Sequence, residues 1–336
     1  MFPETTKSCC EHPRPPNNWC GPREVLAVDL PLRVAKQEGD KMSPVSDMGG
    51  REIRLESIER RSLVNRSRVE YGTWGINHVQ GCSHGCLYCY ACSEAKAHGR
   101  VRNYQEWCVP KVVGNAVEQI QRELARKRTP IDRVHLCFAT DPFMWDSATG
   151  SAHPEIAGMT LEVMKSLNDQ GIPVTVLTKG IYPELDLSGL HPDNQYGITA
   201  VSLGEEFHAA WETNTPSVFD RIEALRVLAE AGARTWVSVE PYPTPNIDPT
   251  ASDVDALLNE LEFVDKFIFG RLNYTLAVTQ YLKNVDASFY ARIAADVKAW
   301  CVMRDKPLHI KHRTPLYNPA TKTILAVDFD YWNAVG

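Results

Sequence analysis

The sequence lacks a long apolar segment. Its first residues, Met-Phe-Pro-Glu-Thr-Thr, contain no apolar signal, and no later stretch is long enough to cross a membrane. These absences predict a cytoplasmic protein without a membrane partner. In a reducing compartment, clustered cysteines are expected to be metal ligands rather than disulfide partners.

The 336-residue chain also lacks an excess of basic residues, with 36 Lys and Arg against 42 Asp and Glu and a formal net charge of −6. Proteins that bind a polyanion usually show a basic balance or a basic face. The richest basic stretch, residues 51–68, interleaves glutamates with its arginines, which is typical of a solvated, self-paired surface. The composition therefore argues against nucleic acid as a partner without excluding it.

Three of the ten cysteines stand close together, in the run Gly-Cys-Ser-His-Gly-Cys-Leu-Tyr-Cys-Tyr-Ala that starts at Gly81. Cys82, Cys86 and Cys89 have CxxxCxxC spacing, and Tyr88 precedes the third cysteine. Thiolate sulfur suits iron-sulfur clusters and zinc. Because a cubane cluster needs four ligands, three cysteines leave one iron free to bind a substrate or cofactor. The spacing predicts a cluster that performs chemistry.

Structural zinc is the alternative for the same region. Cys86, Cys89 and Cys92 form a CxxCxxC run that could hold zinc with His84 or His98. No second thiol pair lies at a finger-like distance, and the cysteines open a long region of alternating strands and helices. Both features favour the cluster.

The CxxxCxxC run with its aromatic residue resembles the radical S-adenosylmethionine (SAM) superfamily. The wider stretch from Asn77 to Ala91 resembles the spore photoproduct lyase-like branch of that family. The resemblance implies a [4Fe-4S] cluster whose open iron binds the amino and carboxylate groups of SAM. It also implies one-electron cleavage of SAM, with an external electron donor such as flavodoxin or ferredoxin.

The pattern of apolar residues predicts an α/β protein. Repeated βα units of this length indicate a parallel sheet with right-handed crossovers. Helices are expected from Val112 to Leu124 and at four later places. The predicted strands are Thr73–Val79, Val134–Ala139, Pro173–Thr178, Ile198–Leu203, Arg234–Val239 and Phe263–Phe269.

Six such units resemble the partial (βα)6 barrel of the radical SAM core. We expect this core to span residues 71–312, with a C-terminal tail over 313–336. Residues 1–70 are expected to form an irregular N-terminal extension, because their first fifty are rich in proline, glycine and asparagine. One strand, from Glu24 to Leu30, is predicted within that extension.

In parallel barrels the active site lies at the carboxyl ends of the strands, and this end of the barrel is called the mouth. By resemblance, Tyr88 packs near the adenine of SAM, or alternatively anchors the cysteine loop. Asp141, in Thr-Asp-Pro, stands where other members have a glycine-rich turn for the methionine amino group, but is also a plain turn residue. Lys179 resembles the lysine that pairs with the methionine carboxylate.

Three further positions complete the predicted mouth. The branch has a serine near the methionine end of SAM, which Ser202 matches, although a small polar residue can also simply end a strand. Glu240 is expected to bind a ribose hydroxyl, an amine or a substrate group. Cys137 stands near the position of the branch's hydrogen-donating cysteine but is offset from it, so a catalytic thiol and a buried structural thiol are both open.

The extension carries three cysteines that suggest a substrate. Cys9 and Cys10 are adjacent and Cys20 follows, a set that suits a soft ion such as trivalent arsenic, although incidental cysteines in a tail explain it equally. A radical SAM enzyme of arsinothricin biosynthesis transfers the 3-amino-3-carboxypropyl group of SAM to trivalent arsenic. The hypothesis is the same transfer to a metalloid here. The alternative is a 5′-deoxyadenosyl-radical enzyme of the spore photoproduct lyase type that acts on DNA or another small substrate.

Overall fold

The structure is a computed structural model that describes residues 55–70, 72–273, 275–314, 316–318 and 323–325. The predicted strand from Glu24 to Leu30 lies outside the described residues, as do Cys9, Cys10 and Cys20.

Strands and helices alternate along the described chain. In chain order the strands are β1 (Glu56–Ile58), β2 (Asn65–Arg66), β3 (Trp74–Ile76), β4 (Val79–Gln80), β5 (Lys111–Val113), β6 (Val134–Leu136), β7 (Trp145–Asp146), β8 (Ser151–Ala152), β9 (Val174–Thr178), β10 (Gln195–Thr199), β11 (Arg234–Tyr242), β12 (Lys266–Arg271), β13 (Leu308–Ile310), β14 (Leu316–Asn318) and β15 (Thr323–Leu325). The helices are α1 (Tyr90–Ala97), α2 (Tyr104–Trp107), α3 (Ala116–Arg126), α4 (Pro154–Asn168), α5 (Glu205–Trp211), α6 (Val218–Glu230), α7 (Val254–Glu260), α8 (Leu276–Asn284) and α9 (Phe289–Met303).

The largest sheet has eight strands in the order β13-β12-β11-β10-β9-β6-β3-β2. All neighbours pair in parallel except β2, which is antiparallel to β3 at the edge. The central strands are buried on both faces, as expected for parallel strands covered by helices. A smaller sheet has three strands in the order β1-β5-β4.

A contact between opposite ends of the large sheet shows that it curls. Glu70 lies between β2 and β3, and its Oε2 atom is 2.8 Å from Nε2 of His309 on β13. The same oxygen accepts the backbone N–H of His312 at 3.0 Å. Eight flat strands would separate these edges by about 30 Å. The sheet is therefore bent into a barrel-like wall, which confirms the α/β fold class and the partial barrel.

Helix α6 shows how local sequence sets these boundaries. Ser217 caps its start, because the hydroxyl accepts the N–H of Asp220 at 3.1 Å. Ile222 and Leu225 are buried at helical spacing, and Gly232 follows the end with a φ of +86°. This helix covers the sheet where β10 meets β11, as the amphipathic pattern predicts.

The structure corrects several predicted elements. The strand predicted from Thr73 to Val79 is two separate strands, β3 in the large sheet and β4 in the smaller one. Val112 and Val113 belong to β5 rather than to the following helix, because Val112 pairs with Ser57 on one side and Val79 on the other. The strand predicted from Ile198 to Leu203 is β10, which ends at Thr199. Ser202 therefore stands in the loop beyond the strand. Among the described residues, no helix is both long and apolar enough to cross a membrane.

Helices α1, α2, α5 and α8 were not predicted. Neither were strands β1, β2, β5, β7, β8, β13, β14 and β15. The division at residue 70 stays a proposal. Strands β1 and β2 precede that boundary, and they pair with β5 and β3 in the two sheets.

Candidate functional site

The cysteine run forms a loop between β4 and α1. Gly81 opens it with a φ of +84°, and a Cβ at this position would stand 2.7 Å from the carbonyl oxygen of Trp107. The same carbonyl accepts the N–H of Cys82 at 2.9 Å. Only glycine combines this backbone conformation with such a close approach. The loop thus begins in a fixed position against the segment that follows α2.

The three cysteines of the loop carry the donor set for a metal group. Cys86 is buried, Cys82 and Cys89 are half-buried, and all three thiols are free. Burial raises the pKa of Cys82 well above its usual value and raises the pKa of Cys86 to about 12. Buried thiols become thiolates only beside positive charge, which the irons of a cluster supply. Three soft sulfurs in one sheltered loop therefore fit an iron-sulfur cluster.

A single metal ion fits less well. In the part of the chain that the structure describes, no three His, Cys, Asp or Glu side chains are placed to hold one ion. His84, a candidate zinc ligand, is buried, and its Nε2 accepts the backbone N–H of Trp145 at 2.7 Å. The Nδ1 atom then carries the proton of the neutral ring, 3.5 Å from Oδ2 of Asp141. Burial lowers the pKa of His84 to about 4, so the ring stays neutral and has no free lone pair.

Asp141 ties together the ends of two neighbouring strands, β6 and β9. Its Oδ1 accepts the hydroxyl of Thr178 at 2.6 Å and the N–H of Phe143 at 3.0 Å. Its Oδ2 accepts the N–H of Lys179 at 2.7 Å. Both oxygens are thus engaged within the protein, and the contacts make Asp141 a positioning group for Lys179. Its direct contact with SAM stays a prediction.

Lys179 presents its charge to the cysteine loop. Its Nζ lies 5.4 Å from the ring centroid of Tyr88. Burial would lower the pKa of Lys179, but the negative charges of Cys86, Glu212 and Asp141 raise it overall. Across the described residues, Nζ forms no ion pair with a carboxylate. A charged amine is therefore available for an anionic group at this mouth.

A buried chain of polar contacts holds Tyr88, and sequence reasoning missed two of its members. The Tyr88 hydroxyl donates to Oε1 of Glu212, and Oε2 of Glu212 accepts from Nη2 of Arg221. Arg221 also donates to the carbonyl oxygen of Thr199 at 2.9 Å. Only 3% of Glu212 and 1% of Arg221 is exposed. Arg221 could have been noticed in the sequence, because it lies four positions before Leu225 and so falls on the apolar stripe of α6.

Two neighbouring side chains contact the ring of Tyr88, which is half-buried. It stacks on Phe207 with centroids 6.5 Å apart and an interplanar angle of 18°, while Lys179 lies over the ring. These contacts support the anchoring role that the sequence left open beside adenine packing. Phe207 belongs to α5 and Glu212 is the residue that ends this helix, so α5 holds the cysteine loop in place.

The remaining predicted residues lie in separate surroundings. Glu240, near the end of β11, has Oε2 3.7 Å from Nζ of Lys311. Burial raises the pKa of Glu240, and the charges of Lys311 and Lys179 oppose that rise. Ser202 accepts the N–H of Gly204 at 2.8 Å.

Cys137 has the contacts of a core thiol. It is 4% exposed, and its Sγ lies 3.4 Å from Nδ1 of His78. The other ring nitrogen of His78 lies 2.7 Å from the hydroxyl of Thr160. Burial raises the pKa of Cys137 to about 12. These surroundings support the structural alternative rather than the catalytic one.

Comparisons with known proteins agree with this architecture. The sequence profile of the Radical SAM superfamily matches residues 76–256, more than half of the chain. An uncharacterized protein of Mycobacterium tuberculosis is 26% identical over 193 residues, which cover 55% of this chain and 54% of the relative. The chain thus spans about half the length of that relative. An uncharacterized protein of Methanocaldococcus jannaschii is 22% identical over 224 residues, covering 66% of this chain and 78% of the relative.

A solved structure shares the fold. It is a spore photoproduct lyase variant with bound AdoMet and dinucleoside spore photoproduct, and it has a TM-score of 0.50 and 19% sequence identity. The similarity covers 69% of this chain and 66% of that one. At this identity the likeness extends to the fold alone. From the match over residues 76–256, the chain belongs to the radical SAM superfamily.

Proposed function

We propose that the protein binds a [4Fe-4S] cluster through Cys82, Cys86 and Cys89 and binds SAM at the open iron. The observation that carries this proposal is the ammonium group of Lys179, which lies over the Tyr88 ring of the cysteine loop and forms no ion pair with a carboxylate of the described residues. When bound, the cluster supplies one electron to the sulfonium of SAM, which splits into a thioether and a carbon radical. The electron comes from an external donor such as flavodoxin or ferredoxin.

The residues of the chain then have distinct tasks. Lys179 pairs with the methionine carboxylate, and Asp141 fixes the backbone from which Lys179 projects. Glu240 is the candidate partner for a hydroxyl or amine on the far side of the mouth. Tyr88 fastens the cysteine loop through Glu212. All cysteines in the described ranges are free, which agrees with the cytoplasm as the proposed compartment.

Lys179→Ala is expected to weaken SAM binding while cluster content stays near the wild-type value. A charge-assisted contact in a sheltered site contributes about 1.5–3 kcal/mol, so affinity should fall by roughly tenfold or more. Anaerobic equilibrium binding of SAM, with iron and sulfide analysis of the same samples, measures both quantities.

The matched control is Lys96→Ala, which removes an exposed lysine from the last turn of α1. This variant should bind SAM as the wild type does, because its amine is solvated. Equal SAM affinity in the Lys179 variant and the wild type would remove Lys179 from the site.

For the substrate, we propose trivalent arsenic. The support is the trio Cys9, Cys10 and Cys20, whose soft sulfurs match a soft ion. Transfer breaks the bond between the sulfonium and the methionine side-chain carbon, releases 5′-methylthioadenosine and forms a carbon-arsenic bond. One electron cleaves SAM, and a second reduces the arsenic adduct as hydroxide leaves, so the external donor supplies two electrons per turnover.

Replacing Cys9 and Cys10 with serine is expected to abolish arsenite binding and leave the cluster intact, because serine oxygen is a hard ligand. Arsenite titration of the wild type and the double variant tests binding. Mass analysis of SAM fragments made in the presence of arsenite tests the chemistry. Equal arsenite binding by the two proteins would contradict the proposal, as would 5′-deoxyadenosine as the sole nucleoside product. Salt-sensitive DNA binding would instead favour the spore photoproduct lyase type.

A further inference from the structure

A cavity of about 320 Å³ opens near the carboxyl ends of β10 and β11. It is lined by the residues that follow β10, the end of β11 and the segment 248–257. Its volume is at the lower end of the range for small-molecule sites. Its wall is mainly apolar and includes Ser202, Leu203, Tyr242, Asp248, Ala251 and Leu257.

One charged group of the wall is incompletely satisfied. Asp248 is 2% exposed, and its Oδ1 accepts the backbone N–H of Thr250 at 3.0 Å and the Thr250 hydroxyl at 2.8 Å. Its Oδ2 is buried and has no hydrogen-bond partner among the residues described. A buried carboxylate oxygen without a partner is costly, so a ligand that satisfies it would bind favourably.

The turn that follows Asp248 uses only one of the two oxygens of its carboxylate. Asp248 caps the short 3-10 turn from Pro249 to Ser252 through Oδ1. A cap needs a single acceptor, and asparagine, serine or threonine would serve equally well. The negative charge and the second oxygen therefore have no function in the turn.

The surroundings of the cavity favour a cation. The Tyr242 hydroxyl is already engaged with the carbonyl oxygen of Ala251 at 2.9 Å, and Ser202 accepts from Gly204. Within the described part of the chain, no Lys, Arg or His side chain forms an ion pair with Asp248. Burial raises the pKa of Tyr242, and the negative charges of Asp248 and Asp253 raise it further. The electrostatic potential in this region is therefore negative, which favours a cation.

We propose that this cavity binds the ammonium group of a small, largely apolar amine, with Asp248 as the charged partner. The apolar wall takes the body of the ligand, and Oδ2 accepts a hydrogen bond from the ammonium. The side chain of Asp248 has its hydrogen bonds with Thr250 alone, so none connects it with Lys179 or the cysteine loop. Tyr88, Asp141, Lys179 and Glu240 do not line this cavity, and of the residues predicted to contact SAM only Ser202 does.

Calorimetric titration of the whole protein with benzylamine, an ammonium ion at neutral pH, tests the proposal. A cavity of about 150 Å³ can hold benzene, so the probe fits. We expect the wild type to bind benzylamine and Asp248→Asn to bind it about tenfold more weakly or worse. Asparagine keeps the acceptor for Thr250, and loss of a buried unpaired charge should leave the unfolding temperature unchanged or higher.

Two controls make the result specific. Benzyl alcohol, the neutral analogue, should bind the wild type at least about tenfold more weakly than benzylamine. Asp253→Asn removes an exposed carboxylate of the same cavity wall, whose charge water screens, and should lower benzylamine affinity much less than Asp248→Asn does. Equal binding of amine and alcohol, no binding of benzylamine by the wild type, or equal affinity of wild type and Asp248→Asn would overturn the proposal. Weaker SAM binding by Asp248→Asn would also overturn it, because the cavity would then belong to the SAM site.

Discussion

Replacing Cys82, Cys86 or Cys89 with alanine should abolish SAM cleavage and remove most of the protein-bound iron. Each thiolate is expected to hold a different iron of one cubane, so no remaining ligand of the loop can replace a lost one. Elimination of turnover is the largest effect expected of any single substitution in this chain. Iron and sulfide analysis after anaerobic reconstitution, followed by a SAM cleavage assay, measures it.

Cys92→Ala is the matched control, because it removes a thiol three positions after Cys89 on α1. The Cys92 side chain is buried in a small apolar cluster with Ala91, Ala95, Val101 and Trp107. Its replacement removes packing, so some stability is lost while cluster content and SAM cleavage are retained. Bound zinc that is lost in Cys92→Ala and retained in Cys82→Ala would instead favour the CxxCxxC zinc alternative.

Glu212→Ala is expected to destabilise the fold by about 3–5 kcal/mol, because it leaves the Arg221 charge buried without its partner. The Tyr88 hydroxyl loses its acceptor in the same variant, so SAM affinity should also fall. Denaturant unfolding measures the free-energy change. The SAM-induced change in the electron paramagnetic resonance spectrum of the reduced cluster reports whether the cysteine loop has moved.

Two further variants test whether the loss of stability comes from this network or from the removal of any charged side chain. Glu118→Ala breaks an exposed ion pair with Arg122 on α3, where the side chains are 71% and 48% exposed, and should cost less than about 1 kcal/mol. Adding Arg221→Met to Glu212→Ala should restore part of the lost stability, because it removes the unpaired charge. An unfolding midpoint of Glu212→Ala equal to that of Glu118→Ala would contradict the role of the network.

The strand ends were the part of the site that could be predicted. Asp141 and Lys179 follow β6 and β9, whose apolar residues are buried on both faces and so stand out in the sequence. The spacing of the three cysteines likewise needs no tertiary information. The boundary of β10 was harder, because apolar residues continue past Thr199 into the loop as far as Leu203.

The support behind the site was not predictable in the same way. Glu212 and Tyr88 are far apart in sequence, and no local sequence pattern predicts the hydrogen bond between their side chains. Arg221 is a charged residue on the apolar stripe of α6, which hints at a buried ion pair. The hint is weak, because a charged residue on a helix usually belongs to its solvated face. The unpartnered oxygen of Asp248 is visible only when every possible donor has been placed in three dimensions.

The most direct test of the central claim is the mass of the SAM fragments produced by anaerobically reconstituted wild-type protein with dithionite. Electron paramagnetic resonance should show one reduced [4Fe-4S] cluster per chain, with a spectrum that changes when SAM binds. We expect cleavage to require the cluster and to yield 5′-methylthioadenosine when arsenite is present. A colourless protein with stoichiometric zinc and intact SAM would contradict the account.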